Sequence, residues 1–206
     1  MTETVPVLIP PLDLAGELML PDGQHSIVIF AHGSGSSRLS PRNRRVAQAL
    51  VDAGFGVLLF DLLTEPEAVR ANIFDIDLLA GRLISAIDWI RSQPRYRGDR
   101  VALFGASTGA AAALKAAAAR PEAVASVVSR GGRPDLAGEA LPLVKAPTLL
   151  IVGGNDEPVL TLNRKAMLQL GGQARLRVVP KATHLFEEPG TLEMVTRYAV
   201  DWFAAH

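Results

Sequence analysis

The stretch Val101-Ala-Leu-Phe-Gly105-Ala-Ser107-Thr-Gly109-Ala decides the fold, because it joins a strand to a helix through a Gly-x-Ser-x-Gly turn. Its first four residues are an apolar run typical of a buried strand, and the alanine-rich segment that follows is typical of a helix. So sharp a turn leaves no room for side chains two residues before and after the serine, which explains Gly105 and Gly109. The pattern predicts that Ser107 lies on a strained turn with its hydroxyl exposed. An ordinary Gly/Ser turn is the alternative.

Short apolar runs alternate with helix-period segments along the rest of the chain, which is typical of a parallel sheet covered by helices on both faces. The predicted strands are Val5–Ile9, Glu17–Leu20, Ser26–Ala31, Gly56–Phe60, Val101–Phe104, Ala123–Ser129, Thr148–Val152 and Arg175–Val179. The predicted helices are Pro41–Asp52, Ile73–Ser92, Thr108–Arg120, Val159–Leu170 and Leu192–Ala204. We expect the first two strands to form a hairpin and the last five or six to be buried on both faces. No linker divides the chain, so residues 1–206 are expected to form a single domain.

Composition excludes several classes of protein. The 206 residues are 49% apolar, with 21 Lys and Arg against 21 Asp and Glu and no Cys. The lack of Cys excludes a thiolate nucleophile and Cys-ligated zinc, and the balanced charge argues against binding to nucleic acid or a membrane surface. The N-terminus is unlike a signal peptide, since Glu3 stands where basic residues belong and prolines interrupt the apolar stretch. We expect a cytoplasmic protein, either a monomer or a homodimer.

A serine hydroxyl is a useful nucleophile only when a base removes its proton, and that base needs a carboxylate to orient it. Asp156 follows the predicted strand that ends at Val152, and His184 follows the next predicted strand. Because parallel strands end at the same edge of a sheet, we expect Ser107, Asp156 and His184 to form a catalytic triad there. Glu157 is the alternative carboxylate. Asp156 is favoured because it comes first after the Gly-Gly bend and has the shorter side chain.

The other histidines and acids have simpler interpretations. His25 lies in a turn and His206 ends the chain, so both are expected to be solvated. We expect His32 to hydrogen-bond backbone and fix its loop, Asp61 to cap or tether its own loop, and Asp135 to cap a helix. No spacing of His and carboxylates offers three ligands for a metal, and no cofactor is expected.

The loop from His32 to Ser37 consists of small residues after an early strand. Small residues leave backbone N–H groups free to face a developing negative charge. We expect the N–H groups of Ser34 and Thr108 to form an oxyanion hole. A plain turn is the alternative.

These motifs resemble those of the α/β-hydrolase fold, and more closely its compact dienelactone-hydrolase-like branch. The resemblance covers essentially the whole chain and rests on His32-Gly-Ser-Gly35, Gly105-Ala-Ser-Thr-Gly109, Gly153-Gly-Asn-Asp-Glu-Pro158 and Ala182-Thr-His-Leu-Phe186. It implies a three-layer fold with an eight-stranded, mostly parallel sheet and a Ser107–His184–Asp156 triad. Ser107 stands where dienelactone hydrolases proper have a cysteine, which favours general ester hydrolysis over hydrolysis of dienelactone.

Only 18 residues, 130–147, separate two successive predicted strands, too few for the helical cap domain found in many proteins of this fold. We therefore expect an open site. Arg130 leaves its strand at the same sheet edge and is a candidate to bind a substrate carboxylate or phosphate, the alternative being a salt bridge that fixes its loop. The cluster of Arg38, Arg42, Arg44 and Arg45 is either a further anion contact or a solvated basic face.

The expected function is hydrolysis of small soluble carboxylic esters through an acyl-enzyme intermediate. Hydrolysis of thioesters, lactones, amides or carbon–carbon bonds on the same triad stays open, because a fold does not choose its leaving group. A non-catalytic scaffold that binds a ligand or partner protein is the alternative from another class.

Overall fold

The computed structural model describes residues 2–24, 26–96, 98 and 100–206, and it is built around one eight-stranded sheet. The strands are β1 (Thr2–Ile9), β2 (Leu14–Pro21), β3 (Ile27–Ala31), β4 (Gly56–Phe60), β5 (Val101–Ala106), β6 (Val124–Arg130), β7 (Thr148–Gly153) and β8 (Ala174–Val179). Their order in the sheet is β1-β2-β4-β3-β5-β6-β7-β8. β1 and β2 form the predicted antiparallel hairpin, β2 is antiparallel to β4, and the other neighbours are parallel. The predicted mostly parallel sheet is confirmed.

Helices cover both faces of this sheet. They are α1 (Pro41–Asp52), α2 (Arg70–Ile73), α3 (Ile76–Ser92), α4 (Thr108–Ala119), α5 (Glu157–Met167) and α6 (Thr191–Ala205). The helices α3 and α4 share one apolar core with the sheet, and α1 and α6 share the core on the opposite face. Ser40 caps α1, since its Oγ accepts the Asn43 N–H over 3.4 Å, and Pro41 is the first helical residue. No helix among the described residues is long and apolar enough to cross a membrane.

Three details of the secondary structure differ from the predictions. The predicted helix from Ile73 is interrupted, because the Asp75 carboxylate accepts the Leu78 N–H over 2.9 Å and caps a separate helix α3. The helix α5 begins at Glu157, two residues earlier than predicted, because Pro158 suits a first helical turn. A 3₁₀ helix, Pro134–Leu143, fills most of the connection from β6 to β7 and packs against α4.

The prediction that the last strands are all buried on both faces is wrong for β8. This strand lies at the edge of the sheet, and Arg175 and Arg177 are exposed on it. An edge strand has a neighbour on one side only, so part of its surface stays in solvent.

Strand register brings the loops of interest together at one edge of the sheet. Ala31 of β3 pairs with Gly105 of β5, and Ala106 pairs with Arg130 of β6. Gly153 of β7 pairs with Val179 of β8. Because these strands are parallel, the loops that follow them leave the sheet side by side.

Candidate active site

Ser107 lies in the sharp turn between β5 and α4, with φ 51° and ψ −121°. A positive φ is strained for a residue with a Cβ atom. A Cβ added at Gly105 would lie 2.4 Å from the Ala110 Cα, and one added at Gly109 would lie 2.2 Å from the Ala31 carbonyl oxygen. The predicted steric reason for both glycines is confirmed.

Neighbouring loops hold this turn in place. The Ser107 N–H donates to the Arg130 carbonyl oxygen over 3.2 Å, and the Ser107 carbonyl accepts the Arg133 N–H over 3.1 Å. The loop after β3 is just as close, since a Cβ added at Gly33 would lie 3.0 Å from the Ser107 Cβ. The nucleophile candidate therefore lies between the loop after β3 and the loop after β6.

His184 and Asp156 are joined by a hydrogen bond of 2.7 Å between Nδ1 and Oδ2. The carboxylate can only accept, so Nδ1 carries the proton and Nε2 is left with a free lone pair. The side chain of Asp156 is 13% exposed and that of His184 is 38% exposed. Glu157, the alternative carboxylate, is exposed on the first turn of α5.

Two side chains that the sequence analysis missed stabilise the loops of Asp156 and His184: Asn155 connects the two loops, and Glu188 bonds within the His184 loop. The backbone N–H of Asn155 donates to the Ala182 carbonyl over 2.9 Å, and its side-chain amide donates to the Lys181 carbonyl over 3.0 Å. Glu188 accepts the Thr183 N–H over 3.1 Å, and this bond lowers the pKa of Glu188. Asn155 stands next to Asp156 in the sequence, but no pattern marks either residue.

Gly131 lies against His184. A Cβ added at Gly131, where φ is 51°, would lie 3.5 Å from the His184 Cε1 and 3.1 Å from the His184 carbonyl oxygen. Its neighbour Arg130 accepts the Ser107 N–H, so one dipeptide contacts both the serine turn and the histidine loop. The structure thus brings Ser107, His184 and Asp156 together at one sheet edge.

The loop after β3 meets the start of α4 through a side chain. The Ser34 N–H donates to the Thr108 Oγ1 over 2.9 Å, and the Thr108 N–H has no acceptor among the described residues. The two residues expected to form an oxyanion hole are therefore neighbours. The hydroxyl bond between them was not predicted.

His32 hydrogen-bonds backbone on both ring nitrogens, as predicted. The Leu62 N–H donates to Nε2 over 3.1 Å, so Nδ1 carries the proton and donates to the Gly33 carbonyl over 3.0 Å. Burial lowers the pKa of His32, although the Gly33 bond and the charge of Asp61 act in the opposite direction. His25 lies outside the described residues, and His206 is exposed with Nδ1 bonded to the Trp202 carbonyl.

The two remaining acids differ in outcome. Asp61 tethers its loop as expected, accepting the Arg38 N–H over 2.7 Å and forming an ion pair with the Arg38 guanidinium. The prediction that Asp135 caps a helix is wrong. Its carboxylate instead forms a bidentate pair with Arg133, over 2.9 and 2.8 Å, because the guanidinium two residues away offers two parallel donors.

A cavity of about 340 Å³ lies beside the loop after β3. Its lining is mainly small and apolar, and consists of His32, Gly33, Ser34, Gly35, Ser36, Ser37, Asp61, Leu62, Leu63, Thr64, Glu65, Ala68, Ile73 and Leu79. Since Gly33 also abuts Ser107, the cavity adjoins the serine turn. No group of three His, Asp or Glu residues in the described part of the chain is placed to hold a metal ion.

The arginines of the sequence analysis fall into two groups. The cluster at the start of α1 is paired with acids, in the pairs Arg38–Asp61, Arg42–Glu187, Arg44–Glu17 and Arg45–Glu193. Arg130 is only 8% exposed, and within the described ranges it forms no ion pair. The salt bridge considered as its alternative role is therefore absent there.

Comparison with known proteins agrees with this geometry. The dienelactone hydrolase family matches residues 14–202. A solved dienelactone hydrolase from Anabaena variabilis is 54% identical, with a TM-score of 0.95, and the match covers 100% of this chain and 98% of that one. Est1E from Butyrivibrio proteoclasticus has the same fold at 15% identity, with a TM-score of 0.82 over 98% of both chains.

A longer relative comes from Mycobacterium tuberculosis and is named a phosphoribosyl transferase. It is 58% identical over 205 residues, which are 99% of this chain and 46% of that protein. This chain therefore spans about half the length of that relative. The family match fills nearly all of residues 1–206, and the chain belongs to the dienelactone hydrolase family of α/β hydrolases.

Proposed function

We propose that this chain is a serine hydrolase that cleaves small carboxylic esters through an acyl-enzyme intermediate. The observation that carries the proposal is the 2.7 Å bond between His184 and Asp156, on loops that meet the strained turn of Ser107. In this arrangement Ser107 is the nucleophile, His184 is the base and Asp156 orients the imidazole. No metal or cofactor is needed for this chemistry.

The first half-reaction forms the acyl-enzyme. As the Ser107 Oγ attacks the ester carbonyl carbon, its proton passes to Nε2 of His184, and the carbonyl oxygen becomes negative. The N–H of Thr108 stabilises that oxygen, joined by the N–H of Ser34 when it exchanges its bond to the Thr108 hydroxyl for one to the oxyanion. Asp156 stabilises the imidazolium. The ester C–O bond then breaks, and His184 returns the proton to the departing alcohol.

The second half-reaction releases the acid. Water attacks the acyl carbon while its proton passes to Nε2 of His184, and the tetrahedral species collapses when the bond to Oγ breaks. The proton then returns to Ser107. The sum is ester and water giving acid and alcohol, with the enzyme restored.

The cavity beside Ser34 supports a small substrate. Its volume of about 340 Å³ is near the lower limit for small-molecule sites, and leucine, isoleucine and alanine side chains supply an apolar wall. The name of the Anabaena relative points to a lactone, which is a cyclic ester and opens by the same steps. We do not extend the transferase name to this chain, because more than half of that relative lies outside the match.

Hydrolysis of 4-nitrophenyl acetate and butyrate tests the proposal. Ser107→Ala should abolish turnover and labelling by a fluorophosphonate, whereas Ser85→Ala, which removes a hydroxyl from the exposed side of α3, should leave both unchanged. His184→Ala should be nearly as severe, because members of a triad act as a unit. Labelling of Ser107→Ala at the wild-type rate would contradict the assignment.

A substrate panel then separates the alternatives. Purified protein is tested on esters, lactones, thioesters and aminoacyl amides at equal concentration. A preference for esters or lactones supports the proposal. A preference for thioesters or amides would keep the triad but change the bond, and no turnover together with no labelling would favour a binding scaffold.

A further inference from the structure

Arg130 is the only buried ionisable side chain in the described part of the chain. It is the last residue of β6 and is 8% exposed. A charged group taken out of water is destabilising unless an opposite charge or several hydrogen bonds compensate it. Arg130 therefore needs a partner that compensates its buried charge.

The residues that the structure describes provide no protein partner for this guanidinium. Its Nη1 atom is buried without a hydrogen bond, and no carboxylate of the described residues lies within ion-pair distance. The ion-paired arginines are all more exposed, and they are Arg38, Arg42, Arg44, Arg45, Arg82, Arg95, Arg120 and Arg133. The most deeply buried cation of the described residues thus has no counter-ion.

The strand pattern places Arg130 on the face that α1 covers. Side chains alternate along β6, and Val128 belongs to the core that Phe186 and the helices α1 and α6 share. Arg130 follows Val128 by two residues and projects to the same face. The nearest end of α1 carries Arg42 in its first turn.

Arg42 is a second cation with an unused donor. Its Nη1 donates to Glu187 over 3.2 Å at the surface, but its Nε is buried without a partner. Burial and then the charge of Arg42 lower the pKa of Arg130 to about 10, so Arg130 is still charged at neutral pH. The first turn of α1 holds no acidic residue, and its positive dipole end adds to the field.

We propose that the space between Arg130 and Arg42 binds a small oxyanion, a carboxylate or phosphate group, that accepts hydrogen bonds from both guanidinium groups. One such ion would neutralise the buried charge, relieve the repulsion between the two arginines and satisfy Nη1 and Nε together. This site goes beyond the proposed ester hydrolysis and does not depend on it.

We place the entry on the side of α1, where a cavity borders Arg42 but not Arg130, so side chains must move to admit an anion to the two buried donors. This cavity of about 440 Å³ reaches Arg42, and Phe186 and Gly190 are among its walls. Its carboxylates are already engaged, Glu187 with Arg42, Glu193 with Arg45 and Glu188 with the Thr183 N–H. They therefore leave the two unused donors to an incoming anion.

Thermal denaturation with added anions tests the site. Wild-type protein is titrated with sodium phosphate and, separately, sodium acetate at ionic strength held constant with sodium chloride. At a hundredfold excess over Kd, the Tm should rise by about 5–10 °C, and further anion should raise it only slowly, with the logarithm of the anion concentration. Arg130→Gln and Arg42→Gln should remove the rise, whereas Arg44→Gln, which loses a pair with Glu17 outside that cavity, should keep it.

Two further measurements cover the case in which Arg130→Gln does not fold. The phosphorus NMR signal of inorganic phosphate should broaden with wild-type protein and less with Arg42→Gln, and excess acetate should sharpen it. Arg130→Met should be at least as stable as wild type in anion-free buffer, because it removes an unpaired buried charge. The proposal is overturned if neither anion gives a saturable effect, or if Arg130→Met lowers the Tm as the loss of a loop brace would.

Kinetics distinguish an anion carried by the substrate from a free ion. The KM for 4-nitrophenyl succinate is compared with that for 4-nitrophenyl acetate in wild type and Arg42→Gln. A substrate carboxylate at this site should make the variant's KM about tenfold higher for the succinate ester only. An unchanged KM ratio with the Tm effect intact identifies a free ion. The thermal and NMR experiments stand even if the protein hydrolyses no ester.

Discussion

The backbone N–H of Ser34 donates a hydrogen bond to the side-chain hydroxyl of Thr108 over 2.9 Å. Thr108 directly follows the proposed nucleophile and is buried, whereas Ser34 belongs to the loop after β3. The hydroxyl therefore holds the Ser34 loop beside the start of α4, and the Ser34 N–H must exchange this bond for one to the oxyanion during the proposed reaction. Its own proton stays available to donate, since the oxygen acts here as an acceptor.

Replacing Thr108 by Val keeps the shape of the side chain and removes this acceptor. We expect kcat for 4-nitrophenyl acetate to fall about tenfold with KM nearly unchanged, because one misplaced oxyanion donor weakens binding of the transition state alone. Thr108→Ser should retain most of the activity. A folded Thr108→Val with wild-type kcat would contradict a role for this bond.

Asp156 and Glu157 are adjacent acids with different surroundings, so a variant of Glu157 is a suitable control for a variant of Asp156. Asp156→Asn should lower kcat about 10⁴-fold, because the amide no longer stabilises the imidazolium or holds the correct tautomer of His184. Glu157→Gln should retain wild-type kcat, since that carboxylate is exposed and makes no hydrogen bond with His184. Equal losses in both variants would mean that the acid is wrongly assigned.

Gly109 and Gly81 are both helical glycines, and alanine should affect them in opposite directions. At Gly109 the added Cβ would lie 2.2 Å from the Ala31 carbonyl oxygen, a backbone atom that cannot move freely. We expect Gly109→Ala to lose about 3 kcal/mol of unfolding free energy. At Gly81, exposed on α3 with nothing within 4 Å, alanine should add about 0.5–1 kcal/mol. Urea denaturation monitored by circular dichroism measures both.

His32 should make the protein less stable in acid. Its pKa in the folded state lies below the ordinary value of 6.5, because burial opposes its charge. As the pH falls below about 6.5, the unfolded chain binds a proton at this position, whereas the folded chain stays unprotonated there. The free energy of unfolding therefore decreases, by up to about 1.4 kcal/mol for each pH unit until the folded pKa is reached.

Chemical denaturation of wild type and His32→Gln between about pH 7.5 and pH 5 checks this prediction. The variant should show a shallower decline, and His206→Gln, at the exposed C-terminus, should decline as wild type does. Parallel curves for wild type and His32→Gln would contradict it. The same data show over which pH range a loss of activity can be separated from unfolding.

The sheet and the three triad candidates could be predicted from sequence because their signals are local. A strand buried on both faces is a continuous apolar run, and Asp156 follows such a run closely, whereas His184 follows the half-exposed edge strand β8. Chain order and the rule that parallel strands end at the same edge then suffice to place the three candidates at one edge of the sheet. The break before α3 was missed because helix periodicity continues through Asp75, whose capping bond competes with it.

The contacts that set the details of the site are not local. The bond from Ser34 to Thr108 spans 74 positions, and the missing partner of Arg130 depends on side chains from α1 and the His184 loop. Whether a hydroxyl or guanidinium meets a partner depends on rotamers and on packing between distant segments, and hydrophobic patterns carry no such information. The tie from Asn155 to Lys181 was missed for the same reason.

The His32 ring bridges the Gly33 carbonyl and the Leu62 N–H, and Leu62 also forms part of the wall of the 340 Å³ cavity. An engineered change at Leu62 would consequently disturb recognition and rate at once. Residues 63–73 lie beyond this bridge, and several of them face the same cavity. A variant library aimed at new acyl groups belongs in that segment, where selectivity can be altered without displacing the oxyanion loop.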